Sequence, residues 1–473
     1  ASFADFLRIF GGLWQPSTLS YAVEQYFENG GRTAFVVRIA NGARCCTLTL
    51  QAGARALVLQ AQSPGTREFL RAAVDYDGIG DNEEDRFNLV LQRVRTPGSE
   101  HIEDQEIYRR LTVLPDGARD VATMLADSQL ARVVGEAPLQ RPDPTPRSDP
   151  RGIAGYVMSS PDGDDGGALT DYDLIGSAAR GTGLFALDAI ETFNFLCIPP
   201  LARDADVGAS TLLVANRYCR ERRALLFVDP PLAWDSAGKA LAEMRNWPLP
   251  SDTACMYFPR LLAYDKLRGR FEAFAPCGAV AGTLSRVADL APFWSAATGE
   301  ETALRPGLRP MCAVDDNYRA RLAACGVNTV QTVRRPGREV PIACTMAGPG
   351  AGAADWRMLP ARRLAFMIIS SIERGTRWML FEPNEPPTWR RAAAQVRAFL
   401  SSLEERGAFA HREPGDRWFV LCNERVNREQ HRERGIVNLL FGFAGARSGE
   451  FHAFMVSHRA GGSRAQAVSP NLS

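Results

Sequence analysis

Lysine is nearly missing from this chain of 473 residues: Lys239 and Lys266 are the only two, although lysine and arginine together number 55. A Walker-type phosphate loop needs Gly-Lys followed by Ser or Thr. The nearest approach, Gly238-Lys239-Ala240, fails that test. Histidine is also scarce, with five in all (His101, His411, His431, His452 and His458) and none between residues 151 and 365. A Ser-His-Asp or Cys-His arrangement built inside that stretch is therefore excluded. The ten cysteines contain no CxxC pair, and Cys45 and Cys46 are adjacent. Neither a zinc ribbon nor a disulfide framework fits that spacing, and the usage reads as reduced, cytosolic and mostly buried thiols. No run approaches the ~20 apolar residues of a membrane helix. The start, ASFADFLRIFGG, has no basic region or cleavage site and predicts no secretory signal here. A formal charge of +1 argues against a protein dominated by DNA or anionic membranes.

What is present is an ordinary globular balance, 45% hydrophobic and 23% charged, in a length that favours two to four domains. The dominance of arginine reflects either genome composition or a use for forked contacts with carboxylates. In TLSYAVEQYFENGG, Leu19, Ala22, Val23, Tyr26 and Phe27 recur at helical spacing, and Asn29-Gly30-Gly31 ends the helix. Ala34 to Ile39 reads as a strand. From Cys45 to about Val134 the texture is β-rich, with CTLTLQA, RALVLQAQ, RFNLVLQRV and YRRLTVL as strands and a helical stretch, RDVATMLADSQLARVV, near its end. A proline-rich linker follows at 137–150. From 151 to 365 strands (FNFLCI, RALLFV, CMYFPRLLAYD) alternate with helices (DSAGKALAEMRNW, GAVAGTLSRVADL), which predicts a mostly parallel, helix-covered sheet. Beyond 366, PPTWRRAAAQVRAFLSSLEERGA reads as a helix, and RWFVLC, GIVNLLFGF and EFHAFMVSH as strands, giving an α+β segment. The tail RAGGSRAQAVSPNLS reads as polar and mobile.

Candidate chemistry is thin. Cys197 closes an apolar strand before Pro199 and Pro200, near where α/β sheets gather ligands, but it has no base in its own segment and reads as a packed thiol. GTGLFA (181–186) fits a dinucleotide fingerprint only formally, because no room remains for a crossover helix. Asp162, Asp164 and Asp173 stand in the register of a calcium loop, yet Gly166 occupies its fifth position and Asp173 replaces the usual Glu. A glycine–aspartate turn is the better reading. His452 and His458 share a strand face but stand too far apart to chelate one ion. Composition and motifs thus predict no catalytic residue, no metal and no cofactor. Two classes remain open: an assembly protein, or an enzyme using only Asp, Glu, Arg, Ser and backbone groups.

Several stretches recur in a characteristic order. They are FADFLRIFGG, SYAVEQYFENGGRTAFVVRIA, SPGTREFLRAAVDYDG, RFNLVLQRV, DGDDGGALTDYD, TGLFALDAIETFNFLCIPP and RRALLFVDPPLAW. CMYFPRLLAYDKLRGRFEAFAPCGAVAG, GVNTVQTVRRPGREV, WRMLPARRLAFMIISSIERGTRWMLFEPNEPPTW and GEFHAFMV complete the series. Together they resemble the tail sheath proteins of contractile phage tails and related injection systems, over nearly the whole chain.

The resemblance implies an α/β central domain, subtilisin-like and non-catalytic, with an inserted β-rich domain and an α+β C-terminal domain. The expected boundaries are a helix–strand unit at 1–45, an outer β-rich insertion at 46–136, a linker at 137–150, the α/β domain at 151–365 and the C-terminal domain at 366–473. It implies copies that stack helically around an inner tube and contract to drive it through a target envelope. The implied partners are further copies, the tube protein, and baseplate and terminal cap proteins, with no nucleic acid and no membrane insertion. Assembly is expected in the bacterial cytoplasm. Strand lending between neighbours would fall on Glu450, Phe451, His452, Ala453, Phe454, Met455 and Val456, with GIVNLLFGF as a partner strand. Arg362, Arg363, Arg390 and Arg391 would be contacts to the tube or a neighbour. The alternatives are a sheath-like cap or baseplate component in few copies, or an α/β hydrolase using the Asp162/Asp164/Asp165 loop.

Overall fold

The computed structural model describes residues 2–115, 117, 119–146, 155–292, 294, 300–333, 337–339, 344–347, 354–409, 417–444 and 451–468. The chain divides into two compact units, one formed by Ala1–Val37 with Leu174–Ser473 and the other by Arg38–Asp173. The first unit opens with helices α1 (Phe3–Phe10) and α2 (Leu19–Glu28). Ser2 and Asp5 form a reciprocal capping box that starts α1. Ala34 to Ile39, which read as a strand, enters no ladder. Apolar alternation supplies a face but not a hydrogen-bonding partner.

The Arg38–Asp173 unit is antiparallel β. Its strands are β1 (Cys45–Ala52), β2 (Arg55–Pro64), β3 (Phe69–Asp75), β4 (Arg86–Val94), β5 (Ile102–Thr112), β6 (Ala131–Val133) and β7 (Val157–Met158), with helix α3 (Val121–Ala126) before β6. They form two sheets, β1-β2-β6 and β5-β4-β3-β7. Alternation in β1 and β2 places Leu48, Leu50, Leu57 and Leu59 inward, in one core with Leu70, Phe87, Leu89 and Leu111. The β1–β2 hairpin turns in two residues, with Gly53 at φ 61°, a left-handed value that glycine adopts without steric cost. The stretch that read as one helix at 119–134 is cut short, because Asp120 caps α3 and the chain then joins β2 as β6. The described part of the proline-rich segment, through residue 146, is strapped to this unit. Asp143 and Thr145 donate their N–H groups to the Gln51 and Val74 carbonyls, at 2.7 and 3.0 Å. The intervening prolines have no N–H to leave unsatisfied. Helix α4 (Asp171–Ile175) lies at the chain's passage from one unit to the next.

The other unit holds a parallel sheet, ordered β14-β10-β9-β8, from β8 (Phe195–Cys197), β9 (Leu225–Val228), β10 (Ala254–Phe258) and β14 (Val327–Thr329). Between them run helices α5 (Ala209–Arg222), α6 (Ala237–Met244), α7 (Cys277–Leu290) and α8 (Asp316–Ala324). A small sheet of β11 (Leu261–Asp265), β12 (Arg270–Phe274) and β13 (Arg309–Pro310) follows β10. Every residue of β9 and β10 is buried, as helix cover on both faces requires. Leu226, Val228, Met256 and Phe258 face one core with α5, α6 and α8. Leu225, Phe227, Cys255 and Tyr257 face a second core with α7. Alternation thus divides one continuous apolar run between two cores. Helix α2 packs closely on α7, because Gly278 and Gly282 leave room for the Ala22 and Tyr26 carbonyls.

After a short hairpin, β15 (Gln331–Val333) and β16 (Gly337–Glu339), the chain forms helices α9 (Leu359–Gly375) and α10 (Pro386–Glu405). The last sheet is antiparallel, ordered β17-β18-β19-β20, from β17 (Trp418–Leu421), β18 (Val437–Ala444), β19 (Phe451–Arg459) and β20 (Gly462–Val468), with α11 (Glu429–Glu433) between β17 and β18. Ile368, Ile372, Trp389, Val396, Leu439 and Phe441 share its core with the two long helices. The polar tail that read as mobile therefore includes a paired strand, β20. No described helix is long and apolar enough to cross a membrane.

Candidate functional site

The carboxyl end of the parallel sheet is where an α/β protein would hold a ligand. Here Cys197 ends β8, and Asp229 follows β9. The Asp229 Oδ1 accepts the Cys277 backbone N–H at 3.1 Å, in the first turn of α7. Pro276 precedes that helix and supplies no capping side chain, so a carboxylate from another strand takes the position. Burial pushes Asp229 up to about 6, although the Cys277 contact favours its charged form. The Cys197 thiol lies 3.8 Å from the Cys277 carbonyl oxygen. Contact with Cys197 and burial together drive the Cys277 thiol well above its ordinary value. A thiol held protonated is a poor nucleophile. Next to this group, Arg260 donates its Nε–H to the Pro230 carbonyl at 2.9 Å and pairs with Asp206 at 2.8 Å. The arrangement caps a helix and packs sulfur. It aligns no nucleophile with a base among the described residues.

The acidic loop resolves into clamps. Asp162 accepts the Thr47 N–H at 2.9 Å and the Thr47 hydroxyl at 2.7 Å. Asp165 does the same for Thr66, at 3.1 and 2.6 Å. Asp164 accepts the Gly166 N–H at 2.9 Å and pairs with Arg44 at 3.2 Å. The threonine hydrogen bonds hold Asp162 and Asp165 below the usual carboxylate range. Asp173 accepts instead from Thr170, at the start of α4. The register of a calcium loop is thus spent on separate turns, and no group of three potential metal ligands occurs among the described residues. The lowered carboxylates suit acceptors, not general acids.

The four arginines part company. Arg362 pairs with Asp252 at 2.9 Å with only 11% of its side chain exposed, and Arg363 packs over the Phe195 ring. Burial lowers both guanidinium pKa values to about 10. Both are half-buried in this fold, Arg362 beside Asp252 and the rings of Trp356 and Phe366, Arg363 beside Phe195. Arg390 and Arg391 lie exposed on α10, where Arg391 stacks on Trp378 and pairs with Glu382 at 2.7 Å. Of the expected lending strand, Glu450 lies outside the described residues. Phe451 to Val456 belong to β19, which is hydrogen-bonded to β18 on one side and β20 on the other. Among the described residues β19 is paired with β18 from Phe451 and with β20 from Ala453, so the edge strands of this sheet are β17 and β20. Sequence reasoning missed β20 because GSRAQAV carries no apolar alternation. The His458 Nδ1 meets the Ser463 hydroxyl at 2.6 Å across the β19–β20 turn, a contact that only the fold reveals.

No family model matches the chain. No curated protein matches it either. Solved structures do. It is similar to the sheath complex of an extracellular contractile injection system, PVC, in the contracted state, with 25% identity and a TM-score of 0.42 over 51% of this chain and 65% of that one. The chain therefore spans less than two thirds of that protein. It is similar to the contracted helical sheath of the anti-feeding prophage, with 19% identity and a TM-score of 0.46 over 61% of this chain and 75% of that one. A sheath tail protein from Desulfitobacterium hafniense matches at 13% identity and a TM-score of 0.45, over 89% of this chain and 82% of that one. All three are sheath structures. With TM-scores below 0.5, these likenesses assign no fold by themselves.

Proposed function

We propose that this chain is a structural subunit of a contractile sheath, which polymerises helically around an inner tube and contracts to drive it through a target envelope. The observation that carries the reading is the ordered series of sheath-like stretches, from FADFLRIFGG near the start to GEFHAFMV near the end. The geometry agrees in kind. At the ligand end of the parallel sheet, carboxylate and thiols do structural work, and the acidic loop is consumed by clamps. On this reading the α/β domain is subtilisin-like without peptidase chemistry, the β-rich region at 46–136 is an outward module joined by the segment 137–150, and the C-terminal sheet joins neighbours. Its free edges at β17 and β20, or a release of β20 that uncovers β19, would accept a strand. Arg362, Arg363, Arg390 and Arg391 would contact the tube or a neighbour, Arg390 and Arg391 being the more exposed pair. Baseplate and cap proteins would bound the sleeve, which would form in the bacterial cytoplasm.

The mechanics need two packings of each subunit, with the extended one kinetically trapped. A difference of only about 1–3 kcal/mol per subunit, summed over many copies, supplies large mechanical work. Electron microscopy of the purified protein, or of particles that contain it, tests the reading. Striated tubes in a long narrow and a short wide form are expected. A protein that stays strictly monomeric, with its full native N-terminus, would overturn it.

A further inference from the structure

A cavity of about 750 Å³ lies in the Leu174–Ser473 part of the first unit, beside the edge strand β20. Its lining mixes two chemistries. Arg220, Arg223 and Arg362 gather around Asp252. Phe366, Ile369 and Phe454, with Ala465 and Ala467 of β20, add apolar wall. The space exists because β19 and β20 present alanines there; larger side chains at 453, 465 and 467 would fill it.

Among the described residues, three guanidiniums meet two carboxylates here. Arg362 pairs with Asp252 at 2.9 Å, and Arg220 reaches the same carboxylate only at 3.8 Å. Arg223 is paired with Glu373, outside the cavity lining. Arg362 packs against Trp356 and Phe366, with Cζ 4.9 and 4.3 Å from the ring centres, and its buried Nε has no hydrogen-bond acceptor among the described residues. A buried cationic N–H without an acceptor is costly, and an anion entering the cavity would supply one. Arg223 adds a second sign of construction. It holds a left-handed backbone, φ 53°, at the end of α5, a position that glycine fills more easily. The fold keeps a guanidinium where the backbone prefers no side chain.

We infer that this cavity is a binding site for an amphipathic carboxylate, with the head on the Arg220/Arg223/Arg362 cluster and an apolar body along Phe366, Ile369 and the alanines of β20. Arginine's planar fork matches a carboxylate in two-point contact. A volume of this size accommodates an organic molecule with a body of about ten carbons or an aromatic ring. A fatty or aryl carboxylate and the free C-terminus of an apolar-ended peptide share this chemistry. The inference stands apart from the sheath reading and does not depend on assembly.

Calorimetric titration of the full chain with decanoate, with decanol, and with N-acetyl-Ala-Ala-Phe as free acid and as amide tests it. At least one carboxylate should bind, and its neutral counterpart should bind roughly tenfold or more weakly, the scale of a lost charge-assisted contact. Whether decanoate or the peptide acid binds identifies the source of the carboxylate. Ala467→Trp, at an exposed strand position, should abolish binding by occupying the space beside the apolar wall. Arg220→Gln, also exposed, should weaken it several-fold with circular dichroism unchanged. No binding of either carboxylate, equal affinity for the neutral partners, or full affinity in folded Ala467→Trp would each overturn the assignment.

Discussion

His458 shows how far one side chain can be decided by its surroundings. It is fully enclosed in β19, bonded to the Thr376 hydroxyl at 2.8 Å through Nε2 and to Ser463 through Nδ1. Burial, helped by the charge of Arg377, lowers its pKa to about 4 from 6.5. Between those values the unfolded chain takes up a proton that the folded chain refuses. The stability contribution is therefore complete above pH 6.5 and is lost as pH falls toward 4. Urea midpoints should drop through this window, and His458→Gln should show a flatter dependence there, although it starts lower at pH 7. The aspartate clamps make a second residue-scale prediction. Asp162→Ala removes two acceptors from Thr47 and should destabilise the Arg38–Asp173 unit by about 1 kcal/mol, read from its denaturation midpoint. An unchanged midpoint would remove the clamp from the account. Cys197, which ends an apolar strand as a reactive thiol could, proves to be half-buried and aimed at a helix-start carbonyl.

At the scale of elements, the contact of α2 with α7 rests on glycine. A Cβ at Gly282 would stand 2.2 Å from the Tyr26 carbonyl oxygen, and one at Gly278 would stand 2.2 Å from that of Ala22. Gly282→Ala gains at most about 1 kcal/mol of helix propensity. Overpacking against backbone typically costs about 1–3 kcal/mol, so the net change should be destabilising. Hydrogen exchange should show α2 losing protection first, and a stabilised variant would contradict the packing. The same level shows why some strands were legible and others not. The strands of residues 45–112 announce themselves because one face is buried and the other wet, which writes alternation into the sequence. Strands β9 and β10 announce themselves by the opposite sign, unbroken apolarity. Strand β20 has neither signal, because an edge strand needs only ladder bonds to β19 and its apolar residues are few and mostly small. Ala34 to Ile39 fails in reverse, with a suitable pattern and no ladder.

For the whole molecule, the Arg38–Asp173 unit has its own two-sheet core and should fold alone. Expressed by itself, it should give a single cooperative unfolding transition; a chain without one would mean that its core needs the rest of the protein. Its strap at residues 141–145 belongs in that fragment. Arg141 stacks 3.7 Å over the Tyr76 ring and donates to the Glu83 and Arg86 carbonyls, so cutting before residue 141 should lower the thermal midpoint by several degrees. The proline pattern in the sequence suggested a spacer. The two N–H groups between those prolines found carbonyls on β1 and β3, which composition cannot foretell.

Local chemistry is what the sequence settled by itself. It fixed the scarcity of histidine and lysine, the alternating and continuous apolar runs, and hence the division into a β-rich stretch, a helix-covered parallel sheet and an α+β end. Those follow from short-range periodicity and from residues that are simply absent. Tertiary structure decided which groups meet. It placed Asp229 on the start of α7, set Arg362 half-buried against Asp252 while Arg390 stayed exposed, and paired β19 with β18 and β20. It also left an arginine-lined cavity where β20 carries alanines. Such pairings join positions tens to hundreds of residues apart, and only a folded chain brings them within the few ångströms over which hydrogen bonds and ion pairs act.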